Sequence, residues 1–133
     1  MKGFVVTPVL FVGLFLIVGL MVITFASVDK QLAAGIAAES AARKLAAEAL
    51  ERHLDASSSL MYFALMANSS NCSEMQIAIQ GNMTAAGHVG NVSVLPGDIT
   101  HTVVWLEEYL RNSGAASINR TIRIERTIPG GCT

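Results

Sequence analysis

FVVTPVLFVGLFLIVGLMVITFASV, residues 4–28, is the stretch of sequence that decides the fold. It contains no charged residue, and only Thr7, Pro8, Thr24 and Ser27 interrupt the apolar run. A helix of about 25 residues is about 37 Å long at about 1.5 Å per residue, enough to cross a hydrocarbon core about 30 Å thick. The apolar region of a cleaved secretory signal spans only about 7 to 15 residues. We therefore expect a permanent helix over residues 1–28 that lipid or other subunits cover.

Composition supports the same expectation for the whole chain. The protein has 133 residues, of which 52% are hydrophobic, and one small domain of this length cannot bury so much apolar surface. The remaining apolar surface must face lipid or other subunits. The net charge of −1 and the lack of a dense basic stripe argue against a nucleic-acid partner.

Residues 29–66 are predicted to continue the same helix as an Ala-rich, amphipathic segment. Apolar residues recur there at helical spacing, namely Leu32, Ile36, Leu45, Leu50 and Leu54. Opposite charges four residues apart favour a solvent-facing stripe, in the pairs Glu39–Arg43, Lys44–Glu48 and Glu48–Arg52. Since no strong breaker intervenes, we expect one helix of about 50 to 60 residues, too long to pack only against the rest of its own chain.

The apolar helix carries candidate packing residues for neighbouring helices. Phe11, Phe15 and Leu20 are bulky side chains that water should not contact. Gly13 and Gly19 either mark close approach of another helix or are merely tolerated, because their spacing of six is not the GxxxG pattern. Pro8 falls early enough to begin the helix or to kink it.

Residues 67–133 are predicted to form a small β-rich head, which makes the fold α+β with a lollipop shape. Two strands are expected early in this region, the first from the alternation of Met75, Ile77 and Ile79, the second from Val92, Val94 and Leu95 before Pro96-Gly97. A last strand is expected where Ile118, Ile122, Ile124 and Ile128 alternate with polar residues. Between them, Thr100 is predicted to cap a short helix through Trp105 and Leu110, with a strand as the alternative.

Five of the six asparagines stand in Asn-x-Ser/Thr motifs, where chance would give about one match. They are Asn68, Asn71, Asn82, Asn91 and Asn119. All five follow the long helix, where a glycosylating enzyme outside the membrane would reach them. We expect N-linked glycans on an extracytoplasmic head; the alternative is that these are polar loop residues without glycans.

The two cysteines, Cys72 and Cys132, bracket the head region. A disulfide between them would close a loop of about 60 residues and stabilise the fold by about 4 kcal/mol in the chain-entropy model. Two free thiols are the alternative. A zinc site with His53, His88 and His101 is disfavoured, because the spacing matches no zinc pattern.

Nothing in the sequence indicates an enzyme or a cofactor site. Ser57, Ser58 and Ser59 lie near His53 and Asp55, but residues this close on one helix are better explained as its solvated end. Glu107 and Glu108 are neighbours and would point to different faces, so they do not form an acid/base pair.

The sequence resembles the type IV pilin and archaellin superfamily, particularly its archaeal members. The likeness lies in an apolar N-terminal helix, its amphipathic continuation and a small head rich in glycosylation motifs. In that family a peptidase cleaves after a short basic leader ending in Gly, and Lys2-Gly3 before Phe4 is similar to a minimal leader. The resemblance implies cleavage between Gly3 and Phe4. Pro8 departs from the bacterial pattern, which has an acidic residue at the fifth mature position.

The resemblance implies a structural subunit of a surface filament, in which many copies polymerise through their N-terminal helices and expose their heads for adhesion. Lys2 and the glycosylation motifs favour a cytoplasmic amino terminus and an external head before assembly. The alternative is a membrane-anchored surface protein that does not polymerise, such as a minor pseudopilin, a virion glycoprotein or a receptor. An anchor alone does not require the Ala-rich continuation after residue 28.

Overall fold

The computed structural model describes residues 6–67 and 69–133. The elements are helix α1 (Val6–Met66), helix α2 (Cys72–Ala85) and strands β1 (Asn91–Leu95), β2 (Thr100–Asn112) and β3 (Ser117–Pro129). The α+β fold class and the uninterrupted helix are therefore confirmed. The chain divides into two compact units, one ending at Ser40 and the other spanning Ala41–Thr133.

In the first unit, α1 is helical without a break from Val6 to the end of the apolar run. The hydroxyl side chains of Thr24 and Ser27 are satisfied within the helix, since Thr24 donates to the Met21 carbonyl and Ser27 to the Thr24 carbonyl, each at 2.8 Å. Such bonds remove the need for water or another polar partner in an apolar surrounding. Thr24 and Ser27 therefore do not prevent this segment of α1 from facing an apolar surrounding.

In the second unit, the three strands form an antiparallel sheet in the order β1-β2-β3. Val92 and Ile124 both pair with Trp105, one from each side, so these three side chains share one face of the sheet. The buried residues of this inner face are aliphatic or aromatic apart from His101 and Glu107. Arg111, Arg120 and Arg126 lie at its exposed margins. The outer face carries mainly Thr, Ser, Asn, Arg and Glu.

The C-terminal part of α1 packs in the same core as the sheet's inner face. Its buried residues include Ala49, Ala56, Leu60 and Ala64, which cluster with Trp105. The alanines recur at spacings of seven and eight, which keeps them on one side of the helix. Because their side chains are small, they leave room in this core for the large indole ring of Trp105.

Helix α2 corrects the strand predicted from Met75, Ile77 and Ile79. Met75, Ile79 and Met83 are buried at intervals of four, whereas Ile77 is 72% exposed. Asn71 caps the helix, its side chain accepting from the Ser73 backbone N–H at 2.9 Å. The prediction was wrong because an alternation of only three residues is too short to exclude a helix, in which Met75 and Ile79 share one face and Ile77 lies on the other.

Strand β2 corrects the predicted helix through Trp105, Tyr109 and Leu110. The strand pairs along its length with β3 and over five residues with β1. Its odd-numbered residues from His101 to Tyr109 are all buried. A central strand has hydrogen-bonding neighbours on both sides, and that non-local pairing overrides the weak capping signal of Thr100. The predicted strands at β1 and β3 are confirmed.

Helix α2 also covers the free edge of β1 through two glutamines. The Gln80 side chain accepts from the Val92 N–H at 2.8 Å and donates to the Gly90 carbonyl at 2.9 Å. Gln76 accepts from the Val94 N–H at 3.4 Å. These amides occupy backbone groups that an edge strand would otherwise offer to another chain.

Candidate assembly surface, glycosylation motifs and buried polar cluster

The apolar part of α1 forms an exposed surface on the first unit. All its large hydrophobic side chains between Val9 and Val28 are 49% to 75% exposed, including Phe11, Phe15 and Leu20. Among the described residues, α1 is the one helix long and apolar enough to cross a membrane. The surface is apolar all round the helix, which is a lipid-facing or protein-facing pattern and not that of a helix in water.

Gly13 and Gly19 lie within this surface. A Cβ atom added at either glycine would meet nothing within 4 Å. The chain's own fold therefore does not explain the glycines. Both readings of the sequence, close approach of another helix and simple tolerance, stay open at these positions.

Four of the glycosylation motifs fall on the second unit at exposed asparagines, namely Asn71, Asn82, Asn91 and Asn119. Asn91 and Asn119 lie on strands with their side chains on the outer face of the sheet, alternating with buried residues of the inner face. Asn71 caps α2 through its side-chain oxygen. A glycan would attach to the amide nitrogen, so the cap and the modification are compatible.

The remaining predicted positions at the leader and the first motif lie outside the described residues. These are Gly3, Phe4 and Asn68. Leader cleavage after Gly3 and a glycan on Asn68 stay predictions.

Cys72 and Cys132 form the predicted disulfide, with their Cα atoms 5.1 Å apart. It joins the first residue of α2 to the end of the chain. Backbone hydrogen bonds run beside it, since Cys132 and Gly97 each donate to the other's carbonyl, at 3.0 and 3.2 Å. The disulfide therefore ties the chain end both to α2 and to the turn between β1 and β2.

A buried ion pair, which the sequence analysis missed, links α1 to β2. The Arg52 Nε donates to Glu107 Oε1 at 2.7 Å, and the Trp105 indole N–H donates to Glu107 Oε2 at 3.2 Å. Glu107 is only 3% exposed, and Arg52 also donates to the Gly87 carbonyl at 3.1 Å. A buried carboxylate requires such partners because desolvation disfavours its charge. The signal in the sequence was Glu107 alternating with Trp105 and Tyr109, which only a strand assignment makes visible.

His88 extends this polar cluster toward the helix. Its Nε2 lies 3.3 Å from Ser59 Oγ and 3.7 Å from Asp55 Oδ2, and its ring packs edge-on against Trp105. Both oxygens approach the same ring nitrogen, so the imidazole does not connect a hydroxyl to a carboxylate as a catalytic histidine does. The arrangement links the α2–β1 loop to α1.

The other serines near His53 and Asp55 also make structural contacts. Ser57 Oγ accepts from Arg126 of β3 at 2.6 Å, and Ser58 donates to the Asp55 carbonyl at 2.9 Å. His53 lies apart from His88, beside Arg120 and Arg123 of β3. In the described part of the chain, no group of three or more His, Cys, Asp or Glu side chains is placed to hold a metal.

Comparisons with protein-family models, with curated proteins and with solved structures found no significant match to this chain. Membership of the pilin superfamily therefore stays a prediction from the sequence.

Proposed function

We propose that this protein is the structural subunit of an extracellular, pilus-like filament, assembled through its N-terminal helix. One observation carries the proposal: α1 continues without a break from an all-round apolar segment into an Ala-rich one. The apolar segment alone would serve as an anchor. The continuation is what a bundle of helices uses.

The Ala-rich segment lies just beyond the length that a membrane can cover. Between Asp29 and Ser40 the helix carries several alanines and Gly35, with Leu32 and Ile36 about 60% exposed. Small residues let helix backbones approach one another closely, and the exposed aliphatic side chains would pack between them. Assembly would gain about 25 cal/mol for each Å² of apolar surface buried, before the entropy of association is subtracted.

Before assembly, the apolar segment would reside in the membrane, with the head outside the cell. On assembly, neighbouring copies would replace the lipid around Phe11, Phe15 and Leu20. The heads, linked internally by their disulfide, would coat the filament and carry N-linked glycans at the exposed asparagines. A filament of this kind suits surface adhesion, and it requires no catalytic centre.

The second candidate is a membrane-anchored surface protein that does not polymerise. It is favoured by the exposure of the apolar segment on every side, which lipid would cover as completely as other subunits would. In that case the same head would be displayed singly at the cell surface.

Mechanical shearing of the producing cells separates these candidates. We expect the sheared filaments to contain this chain as their main subunit by mass spectrometry, with added sugar mass on its asparagine-containing peptides. Recovery of the chain only after detergent extraction, as a monomer or small complex, would instead favour the anchored protein. If the filament subunit carries no added sugar mass, the filament assignment stands and the proposed N-linked glycans are contradicted.

A further inference from the structure

The second unit carries an apolar stripe on α1 that its own core does not use. The stripe consists of Leu50, Leu54, Met61 and Leu65, which are 39% to 61% exposed. Their spacings of four, seven and four place them on one face of the helix. The core-facing residues of the same segment, such as Ala56 and Leu60, lie on a different face. Single exposed apolar residues are ordinary, but these four share one face of α1 as two pairs, Leu50 with Leu54 and Met61 with Leu65. Ser57 and Ser58 lie between the two pairs.

One flank of this stripe is acidic. Glu51 and Asp55 each follow a stripe residue by one position, about 100° round the helix. With Glu48 they line a cleft of about 380 Å³, together with Arg52, Tyr109 and Arg111. Arg52 is held by the buried Glu107 at 2.7 Å, and Lys44 approaches Glu48 at 3.9 Å. Asp55 also lies 3.7 Å from His88 Nε2. In the lining of this cleft, the carboxylates of Glu51 and Asp55 outnumber the one remaining guanidinium, that of Arg111, and this gives the flank its negative character.

The opposite flank is basic. His53 follows Leu50 by three positions, about 60° round the helix in the other direction. It lines a cleft of about 390 Å³ with Arg120 and Arg123 of β3, and no carboxylate contributes to that lining. Arg123 has a partner at 3.2 Å in Glu125, on the same strand. Arg120 is thus the main source of positive charge beside the stripe.

The order of these charges selects an orientation for a second copy of the chain. In a parallel pair of helices, residues on one side of the apolar seam face residues on the opposite side of the partner's seam. Acidic and basic flanks then meet. In an antiparallel pair each flank meets its own kind, and like charges repel. Copies inserted in one membrane with the same topology are parallel, so the charges and the topology agree.

We propose that the stripe of Leu50, Leu54, Met61 and Leu65 seats the stripe of a second copy, with the two α1 helices parallel. The flank of Glu51 and Asp55 then lies against the partner's Arg120 and Arg123. This inference rests on the proposed self-assembly and names the partner of one further surface, beyond the apolar segment. Asn71, Asn82 and Asn91 lie away from the stripe, at α2 and at the start of β1. Asn119 directly precedes Arg120, but its side chain is on the outer face of the sheet, away from α1, so glycans would leave the stripe free.

Crosslinking of the full-length chain in its own membranes and filaments tests the contact. Leu54→Cys introduces one free thiol, since both native cysteines are in the disulfide. A bismaleimide that reaches across one helical turn should join two copies through this position. Ile77→Cys is the matched control, because Ile77 is likewise an exposed aliphatic residue on a helix, at 72%, but lies on α2. We expect covalent dimers with Leu54→Cys and few with Ile77→Cys.

Charge reversal tests the flanks in the same Leu54→Cys background. Glu51→Arg or Arg120→Glu alone should lower the crosslinked fraction severalfold, and the two together should restore most of it. Equal crosslinking at positions 54 and 77, or none at 54, would overturn the proposed contact. A thiol at 54 that is not crosslinked and is shielded from a water-soluble maleimide would identify lipid as the occupant instead.

These outcomes are separate from those for the filament. Crosslinked pairs in membranes of cells that make no filaments would support the proposed contact and contradict the filament function. Filaments of this chain whose subunits do not crosslink at position 54 would support the filament function and contradict the proposed contact.

Discussion

The ion pair of Arg52 and Glu107 is a single contact whose loss should strongly lower the free energy of unfolding of the head. Replacing Arg52 by Met leaves the buried carboxylate without its cation, and such a change typically costs about 3 to 5 kcal/mol. We expect Arg52→Met to lower the free energy of unfolding by this order. Trp105 is the sole tryptophan, is fully buried and donates to Glu107, so its fluorescence during urea unfolding of the detergent-solubilised chain reports the loss.

Lys44→Met is the control for that experiment. Lys44 and Glu48 also form an ion pair, at 3.9 Å, but both side chains are largely exposed. Exposed pairs contribute about 0 to 1 kcal/mol, so this variant should unfold almost as the native chain does. Equal effects of the two substitutions would show that burial of Glu107 does not determine the strength of its contact.

The disulfide gives a second prediction for single residues. Cys72→Ser with Cys132→Ser opens a loop with a sequence separation of 60, and the chain-entropy model assigns such a loop about 4 kcal/mol. The double variant should therefore unfold at clearly lower urea concentration, and the native chain should shift equally after reduction. An unchanged unfolding midpoint in both cases would contradict a stabilising role for this bond.

How well a residue could be predicted depended on how local its signal was. The glycosylation motifs are read from three adjacent positions, and the cysteines had only one possible partner each within the chain. Arg52 and Glu107 are 55 positions apart, and the sequence offered Glu48 as a closer partner for Arg52. The pairing became visible only once the register of β2 placed Glu107 on the inner face of the sheet.

Among the elements, the long helix and the two simplest strands were predictable, whereas α2 and β2 were not. The helix α1 has a strong signal because its pattern extends over many turns. The first turns of α2 contain an apolar alternation of only three residues, which is too short to exclude a helix. The central strand β2 depends on pairing with two neighbours. Elements whose state is decided by distant partners are those for which local propensity fails.

The glutamines of α2 give a prediction for this level of structure. Gln80→Leu removes the two hydrogen bonds to the backbone at Gly90 and Val92, each of which contributes about 0.5 to 1.5 kcal/mol. We expect it to destabilise the head and to speed proteolysis around β1. Gln76→Leu is the matched control, because Gln76 makes one longer bond, at 3.4 Å, and should have a smaller effect. Identical protease sensitivity of the two variants would mean that these amides do not protect the edge.

For the whole molecule, the sequence predicts that apolar surface must be covered but not what covers it. Residues 9–28 expose their large side chains on every side of α1, and the same surface suits lipid and protein. Only the continuation into the Ala-rich segment separates these partners, through the close helix approach that small residues permit. The number of copies in contact and their symmetry depend on other molecules and are not encoded in any local pattern.

The most direct test of the filament assignment is cryo-electron microscopy of filaments sheared from the producing cells, with helical reconstruction to side-chain detail. The proposed function predicts a central bundle in which α1 helices of many copies surround Phe11, Phe15 and Leu20 with protein, while the heads face the solvent. Filaments built from another protein, with this chain found only as single helices in lipid, would contradict it.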